Sequence, residues 1–356
     1  MTGKLLQKGI LLLNMIKFFS KKLNNDIAPT ISIENKIKAG IIGFVVGDAL
    51  GVPVEFIERN SLRNNKVTDM IGYGTHYQPE GTWSDDSSMV LATIDGILKS
   101  SNNELDYKKI MSNFLNWKKN GEFTPFNKTF DIGNSTSYAL SVYDQNLRKN
   151  HPDDWICGNG EINSNGNGSL MRIIPITFFL FANNIDYFDK KYLDVITNIS
   201  SMTHSHIYSI SGCYIYSVFA SELLKTNNKL IAYKKMQNIC KNVENLDFSV
   251  YSRVINNDIY KLKEYEIKSS GYVVDSLEAS IWCLLTSNSY QEATLKAVNL
   301  GEDTDTIGAL TGSLAGILYG YNNIPNSWIK KLQQKEYVIG ITEEYISYLL
   351  NNKATI

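Results

Sequence analysis

Apolar residues recur mostly every three or four positions, as in Ile33, Ile37, Ile41 and Phe44, and again in Met89, Ala92 and Ile97. That spacing predicts helices with a buried face, and no alternating run bounded by turn residues predicts a strand. Asparagine doublets (Asn24-Asn25, Asn64-Asn65, Asn102-Asn103, Asn183-Asn184, Asn227-Asn228, Asn322-Asn323) punctuate the chain. Each predicts an interhelical loop, because asparagine bonds its own backbone and favours turns. Two segments carry glycine every three or four residues: Gly40, Gly43, Gly47, Gly51 and Gly308, Gly312, Gly316, Gly320. Each helical glycine costs up to about 1 kcal/mol relative to alanine. A stripe of them predicts helices that approach one another, or a ligand, very closely. The apolar stretch Ile307–Tyr319 is too short to span a bilayer, so buried central helices are the better reading.

Composition changes this picture little. Only 7 prolines in 356 residues leave few obligatory helix breakers. With 35 Lys+Arg against 36 Asp+Glu, the net charge of -1 supplies no field for nucleic acid or an anionic membrane, and neither partner is expected. The 4 cysteines lie far apart without a CxxC pair, which argues against a zinc ribbon or disulfide framework and for a reducing, cytoplasmic setting. Near the N-terminus, Lys4 and Lys8 precede Ile10-Leu11-Leu12-Leu13 in imitation of a leader. Asn14 and Lys17 interrupt that run and no small-x-small cleavage site follows. Residues 1–30 are therefore expected to form a helical extension, with Leu5, Leu12, Ile16 and Phe19 on one side, and residues 31–356 the main domain.

The chemistry is carried by two acidic clusters. Gly81-Thr82-Trp83-Ser84-Asp85-Asp86 and Gly301-Glu302-Asp303-Thr304-Asp305-Thr306 each precede a helical pattern. Helix capping explains a single acid at such a place, because Ser, Thr and Asp satisfy orphan N–H groups. A cap needs one side chain, however, and each cluster offers two carboxylates with adjacent hydroxyls. If the clusters converge, Asp85, Asp86, Asp303 and Asp305 bring a charge of about −4 that cannot stay ionised without compensation. An all-oxygen donor set suits a hard divalent cation such as Mg²⁺, Mn²⁺ or Ca²⁺.

Read in order, these motifs resemble the ADP-ribosylglycohydrolase family. They are Gly47-Asp48-Ala49-Leu50-Gly51-Val52-Pro53-Val54-Glu55-Phe56, Trp83-Ser84-Asp85-Asp86, Gly166-Asn167-Gly168-Ser169-Leu170-Met171-Arg172, Thr203-His204 and Asp303-Thr304-Asp305-Thr306. The likeness runs from about Ile37 to Tyr321. It implies an all-α, orthogonal multi-helix bundle with two Mg²⁺ ions, replaceable by Mn²⁺, in a central cleft. Ser84, Asp85, Asp86, Asp303, Asp305 and Thr306 would be the metal ligands. Ser84 stands where the family more often has threonine, and Glu302 where it often has glycine.

Glu55 matches the family's mobile catalytic glutamate; read from the residues alone, it is a surface carboxylate in the loop after Pro53. Asp131 matches a segment lining the cleft and receives a supporting catalytic role, with an N-cap as the alternative. Glycines in Asn165-Gly166-Asn167-Gly168-Ser169 permit either a turn or a nest of N–H groups. The resemblance makes Gly166, Asn167, Gly168 and Ser169, with His204, the cradle of the ADP-ribose diphosphate. His204 and His206 lack a third nitrogen or sulfur donor for zinc. Phe126 and Phe130 are available to stack on adenine, or to pack the core.

The implied activity is Mg²⁺-dependent removal of mono-ADP-ribose from modified protein side chains. N-linked ADP-ribosyl-arginine is the preferred bond and O-linked ADP-ribosyl-serine the alternative. A rival of another class is an immunity protein that binds and blocks a cognate ADP-ribosyltransferase toxin through its N-terminal extension.

Overall fold

A computed structural model describes residues 31–100 and 104–351. The expected extension over residues 1–30 lies outside the described residues. Among the described residues, twelve helices of at least nine residues follow one another. They are α1 (Ile33–Gly51), α2 (Asp85–Leu98), α3 (Tyr107–Asn120), α4 (Asn134–Arg148), α5 (Ile174–Ala182) and α6 (Lys190–Ser201). The second half supplies α7 (Ile207–Lys225), α8 (Lys229–Asn242), α9 (Val273–Leu285), α10 (Tyr290–Val298), α11 (Thr304–Tyr319) and α12 (Lys335–Asn351). Extended pairing among the described residues is limited to isolated bridges at Tyr73–Gln78, Asn159–His204 and Gly166–Tyr272, so the fold is all-α.

Several asparagine doublets sit at helix ends as their chemistry predicts. Asn183 closes α5, and the Asn228 side chain accepts from the N–H groups of Leu230 and Ile231 to start α8. Asn102-Asn103 and Asn24-Asn25 lie outside the described residues.

The two glycine-striped segments are α1 and α11, and they cross backbone against backbone. A Cβ on Gly47 would lie 2.1 Å from the Gly308 oxygen, and one on Gly312 would lie 2.2 Å from the Gly43 oxygen. No side chain fits there, which is the physical reason for both stripes. Tyr290 donates its hydroxyl to the Gly43 oxygen at 2.7 Å, and Tyr216 to the Leu310 oxygen at 2.9 Å. Phe44, Val45, Leu310 and Ile317 complete a dry core around the crossing. By length and composition α1 with its short continuation is apolar enough to cross a membrane, yet 94 % of its most apolar stretch is buried inside the protein. It is a core helix. The crossing ends at Gly51, where a Cβ would stand 2.4 Å from the Asp305 Cα. The end of α1 is thereby pressed onto the start of α11.

Candidate active site

The acidic clusters, far apart in sequence, meet where α1 ends and α2 and α11 begin. Asp48, on the last turn of α1, accepts from Ser84 N at 2.9 Å, Ser87 N at 3.0 Å and the Ser87 hydroxyl at 2.5 Å. Ser84 Oγ accepts from Asp86 N at 3.2 Å. Asp48 and Ser84 thus cap α2 between them, and the carboxylates of Asp85 and Asp86 are released from that duty. At α11, Asp303 occupies the N-cap position without capping; its Oδ2 accepts instead from Asn167 Nδ2 at 2.7 Å. Thr306 Oγ1 donates to Asp86 Oδ1 at 3.4 Å, a direct link between the clusters.

Capping does not account for this concentration of acid. Asp86 Oδ2 and Asp303 Oδ1 are sealed from solvent without a hydrogen-bond partner. Such an oxygen costs several kcal/mol unless something positive meets it. Among the described residues, no Lys or Arg pairs with Asp85, Asp86, Asp303 or Asp305. Burial pushes the Asp85 carboxyl well above the usual range, helped by Asp131 and Glu55; burial does the same to Asp86, with Asp85 and Asp48 adding. Asp305 rises through burial and the charges of Glu55 and Asp86, and Asp303 through burial against the bond from Asn167. Asp48 is raised by burial to about 6 despite its bonds from Ser87 and Ser84. A set of hard oxygen donors with unmet negative charge fits a divalent cation. One donor atom each of Glu55, Asp303 and Asp305 lies within 4.8 Å of the others.

Glu55 reaches this group through the backbone. A single turn, Val52–Val54, follows the glycine crossing. Phe56 N then donates to the Glu302 oxygen at 2.6 Å, and Glu302 N returns a bond to the Ile57 oxygen at 2.9 Å. This stitch draws the loop against the Asp303–Asp305 turn, and Glu55 is 4 % exposed rather than a surface acid. Glu302 contributes its left-handed backbone (φ 64°) while its side chain faces solvent, so it adds no acid beside the cluster. Burial lifts Glu55 to about 7, opposed by a hydrogen bond from His76. That histidine was not singled out in the sequence; its Nε2 stands 2.5 Å from Glu55 Oε2. Asp131 completes the flank: Glu55, His76 and Asp131 each offer an atom within 4.8 Å of the other two. Its N-cap alternative falls away, since α4 starts after Gly133 with no capping side chain.

Residues expected at the diphosphate divide into two groups. Gly166 and Gly168 are partly exposed, whereas Ser169 is fully buried. Asn167 spends its N–H on the Gly271 oxygen and its side-chain amide on Ser276 and Asp303, so it ties the glycine loop to the acids. His204 is 2 % exposed and lies under the loop, where a Cβ on Gly168 would sit 2.8 Å from its Cε1. Burial, with the charge of Arg172 nearby, drops His204 to about 3 and keeps it neutral. His206 caps α7 by accepting from Tyr208 N. Phe130 packs against His76 with ring centroids 5.4 Å apart, and Phe126 is exposed.

Fold and acids together define an all-α protein with a cation-competent carboxylate cluster. The ADP-ribosylglycohydrolase family model matches residues 29–354, and the chain belongs to that family of glycosidases. The chain is 32 % identical, over 87 % of its own length and 78 % of the relative's, to an ADP-ribosylarginine hydrolase, Tri1, of Serratia proteamaculans (strain 568). Against the ADP-ribosyl-[dinitrogen reductase] glycohydrolase of Rhodospirillum rubrum, identity is 26 % over 85 % of this chain and 92 % of that one. A solved ADP-ribosylglycohydrolase-related protein complex superposes with a TM-score of 0.72, covering 90 % of this chain and 100 % of that one at 24 % identity, which supports the same fold.

Proposed function

We propose that this enzyme removes mono-ADP-ribose from protein side chains, preferentially from arginine, with two divalent cations, Mg²⁺ by preference and Mn²⁺ as a substitute. The observation that carries the reading is the convergence of two acid clusters whose Asp86 Oδ2 and Asp303 Oδ1 have no protein partner. Ser84, Asp85, Asp86, Asp303, Asp305 and Thr306 would hold the cations. Bound there, they would supply positive charge to polarise substrate hydroxyls and to acidify water.

The remaining work falls to the chain's own groups. Glu55, buried beside Asp303 and Asp305, takes the proton of the attacking water and offsets positive charge developing at the anomeric carbon. Water oxygen bonds to that carbon as the bond to the acceptor nitrogen breaks, and the proton is returned to the leaving guanidine. Asp131, on the same flank, orients water or substrate. Backbone groups of Gly166 and Gly168 approach the diphosphate, while His204 and Ser169 shape the loop from beneath.

Preference for arginine rests on relatives named ADP-ribosylarginine hydrolases in Serratia proteamaculans and Pseudomonas putida, each 32 % identical to this chain. Mass spectrometry of ADP-ribosyl-arginine and ADP-ribosyl-serine peptides, incubated with enzyme and Mg²⁺, tests the assignment. Loss of the arginine adduct, abolished by EDTA, is the expected result. An intact arginine adduct beside a consumed serine adduct would overturn the linkage, and release unchanged in EDTA would overturn the cation requirement.

A further inference from the structure

His76 occupies a place that no motif assigned. Its Nε2 meets Glu55 Oε2 at 2.5 Å, and its ring packs against Phe56 and Phe130 with centroid separations of 5.9 and 5.4 Å. The side chain is 14 % exposed. A short turn, Gly74–His76, delivers it. Tyr73 and Gln78 pair across the turn, and Gly74 presses so closely on Pro53 that a Cβ would stand 1.9 Å from the Pro53 oxygen. Thr75 Oγ1 donates to the backbone oxygen of Glu55 at 2.7 Å. Successive residues of one turn therefore hold the backbone and the carboxylate of Glu55.

The turn is held at a conformational cost. Tyr73 and Tyr77, on either side, sit at φ 66° and 54°, a region that bulky side chains avoid. Backbone strain of this kind persists only where surrounding contacts over-determine it, and it collects at working sites. A cation shared by His76 and Glu55 is a poorer account of the trio. Ligand bonds of about 2 Å to each atom would have to prise the direct contact open.

We infer that His76 is the positioning residue for Glu55: its Nε2–H donates to Oε2 and fixes the carboxylate beside Asp303 and Asp305. The inference rests on Glu55 being the group that takes the water's proton. With one oxygen anchored by the imidazole, the other is left for substrate water. Without the anchor, a three-bond side chain explores rotamers in which that oxygen is misplaced, and misplacement of this order lowers turnover with little effect on binding.

Steady-state hydrolysis of an ADP-ribosyl-arginine peptide by full-length protein with Mn²⁺ tests this in the wild type and four variants. His76→Ala is expected to lose about 10- to 100-fold in kcat with KM within about twofold, the range of outer-shell partners. His76→Gln, whose Nε2 also donates, recovers most of the loss. In a Glu55→Gln background, adding His76→Ala costs less than about twofold, because the residue acts only through Glu55. Unchanged kcat in His76→Ala, a loss confined to KM, or an undiminished penalty beside Glu55→Gln would overturn the assignment. If the alanine variant fails to fold, His76→Leu, which fills the space beside Phe56 and Phe130 but carries no donor, takes its place alone and with Glu55→Gln. A wild type that releases no ADP-ribose overturns the functional reading and this inference with it; an active wild type beside an equally active His76→Ala overturns only the latter.

Discussion

In the acid cluster, Asp85, Asp86 and Asp305 stand on the first turns of α2 and α11, with Asp303 at the threshold. In the flank beside it, Glu55, His76 and Asp131 stand on loops, where Phe56, Tyr73, Tyr77 and Asp131 all have positive φ. Asp85, Asp86 and Asp305 are buried, as is Glu55 in the flank, whereas Asp303, His76 and Asp131 are partly open to solvent. Helix starts locked by Asp48 and a glycine crossing suit groups that must hold like charges together. Strained loops suit groups that must meet a substrate.

The largest effect expected is on turnover. Asp305→Ala should lower ADP-ribose release about 10³-fold or more while the thermal midpoint stays level or rises, since it removes one of several repelling carboxylates. A midpoint that collapses with activity would mean the cluster is structural. Next comes the crossing itself. Gly47→Ala places a Cβ against the Gly308 oxygen and should destabilise the fold by about 3 kcal/mol, read by denaturant unfolding. A smaller cost than about 1 kcal/mol would show that α1 and α11 can separate, and that the acids are not locked as described.

Proton linkage sharpens the contrast further. Asp48 at about 6, Glu55 at about 7, and Asp85, Asp86, Asp303 and Asp305, all raised, bind protons more readily in the folded chain than in the unfolded one. What these groups contribute to the stability of the cation-free protein is therefore greatest below the ordinary carboxyl range and is lost as pH rises through about 7. Mg²⁺ takes the place of those protons, so the fall in melting temperature from pH 5 to 8 should shrink when it is added. The smallest effect belongs to Ser84→Thr, which keeps the hydroxyl and the N-cap and should change release less than about threefold.

Much of this was legible in the sequence. Periodic apolar positions marked the helices, glycine stripes marked the crossing, and paired acids marked the cluster, because each depends on spacing within one segment. Asp48 lay inside a quoted motif, yet its role required seeing that it caps a helix starting 37 residues later, at Asp85. His76 carried no local signal at all; its meaning comes from a turn folded onto Pro53 and Glu55. Asn167 looked like a phosphate contact from its glycine neighbours, and only the fold reveals its amide on Asp303. Long-range hydrogen bonds are invisible to periodicity, and they decide the details of this site.

The account's central claim is that the clusters around Asp86 and Asp303 form one cation centre. Titration of cation-free protein with Mn²⁺, reading the free ion by electron paramagnetic resonance, tests it most directly. Saturable binding by the wild type, weakened at least about tenfold by either Asp86→Asn or Asp303→Asn, is the result predicted. Wild-type affinity retained in either variant, or no saturable binding at all, would contradict it.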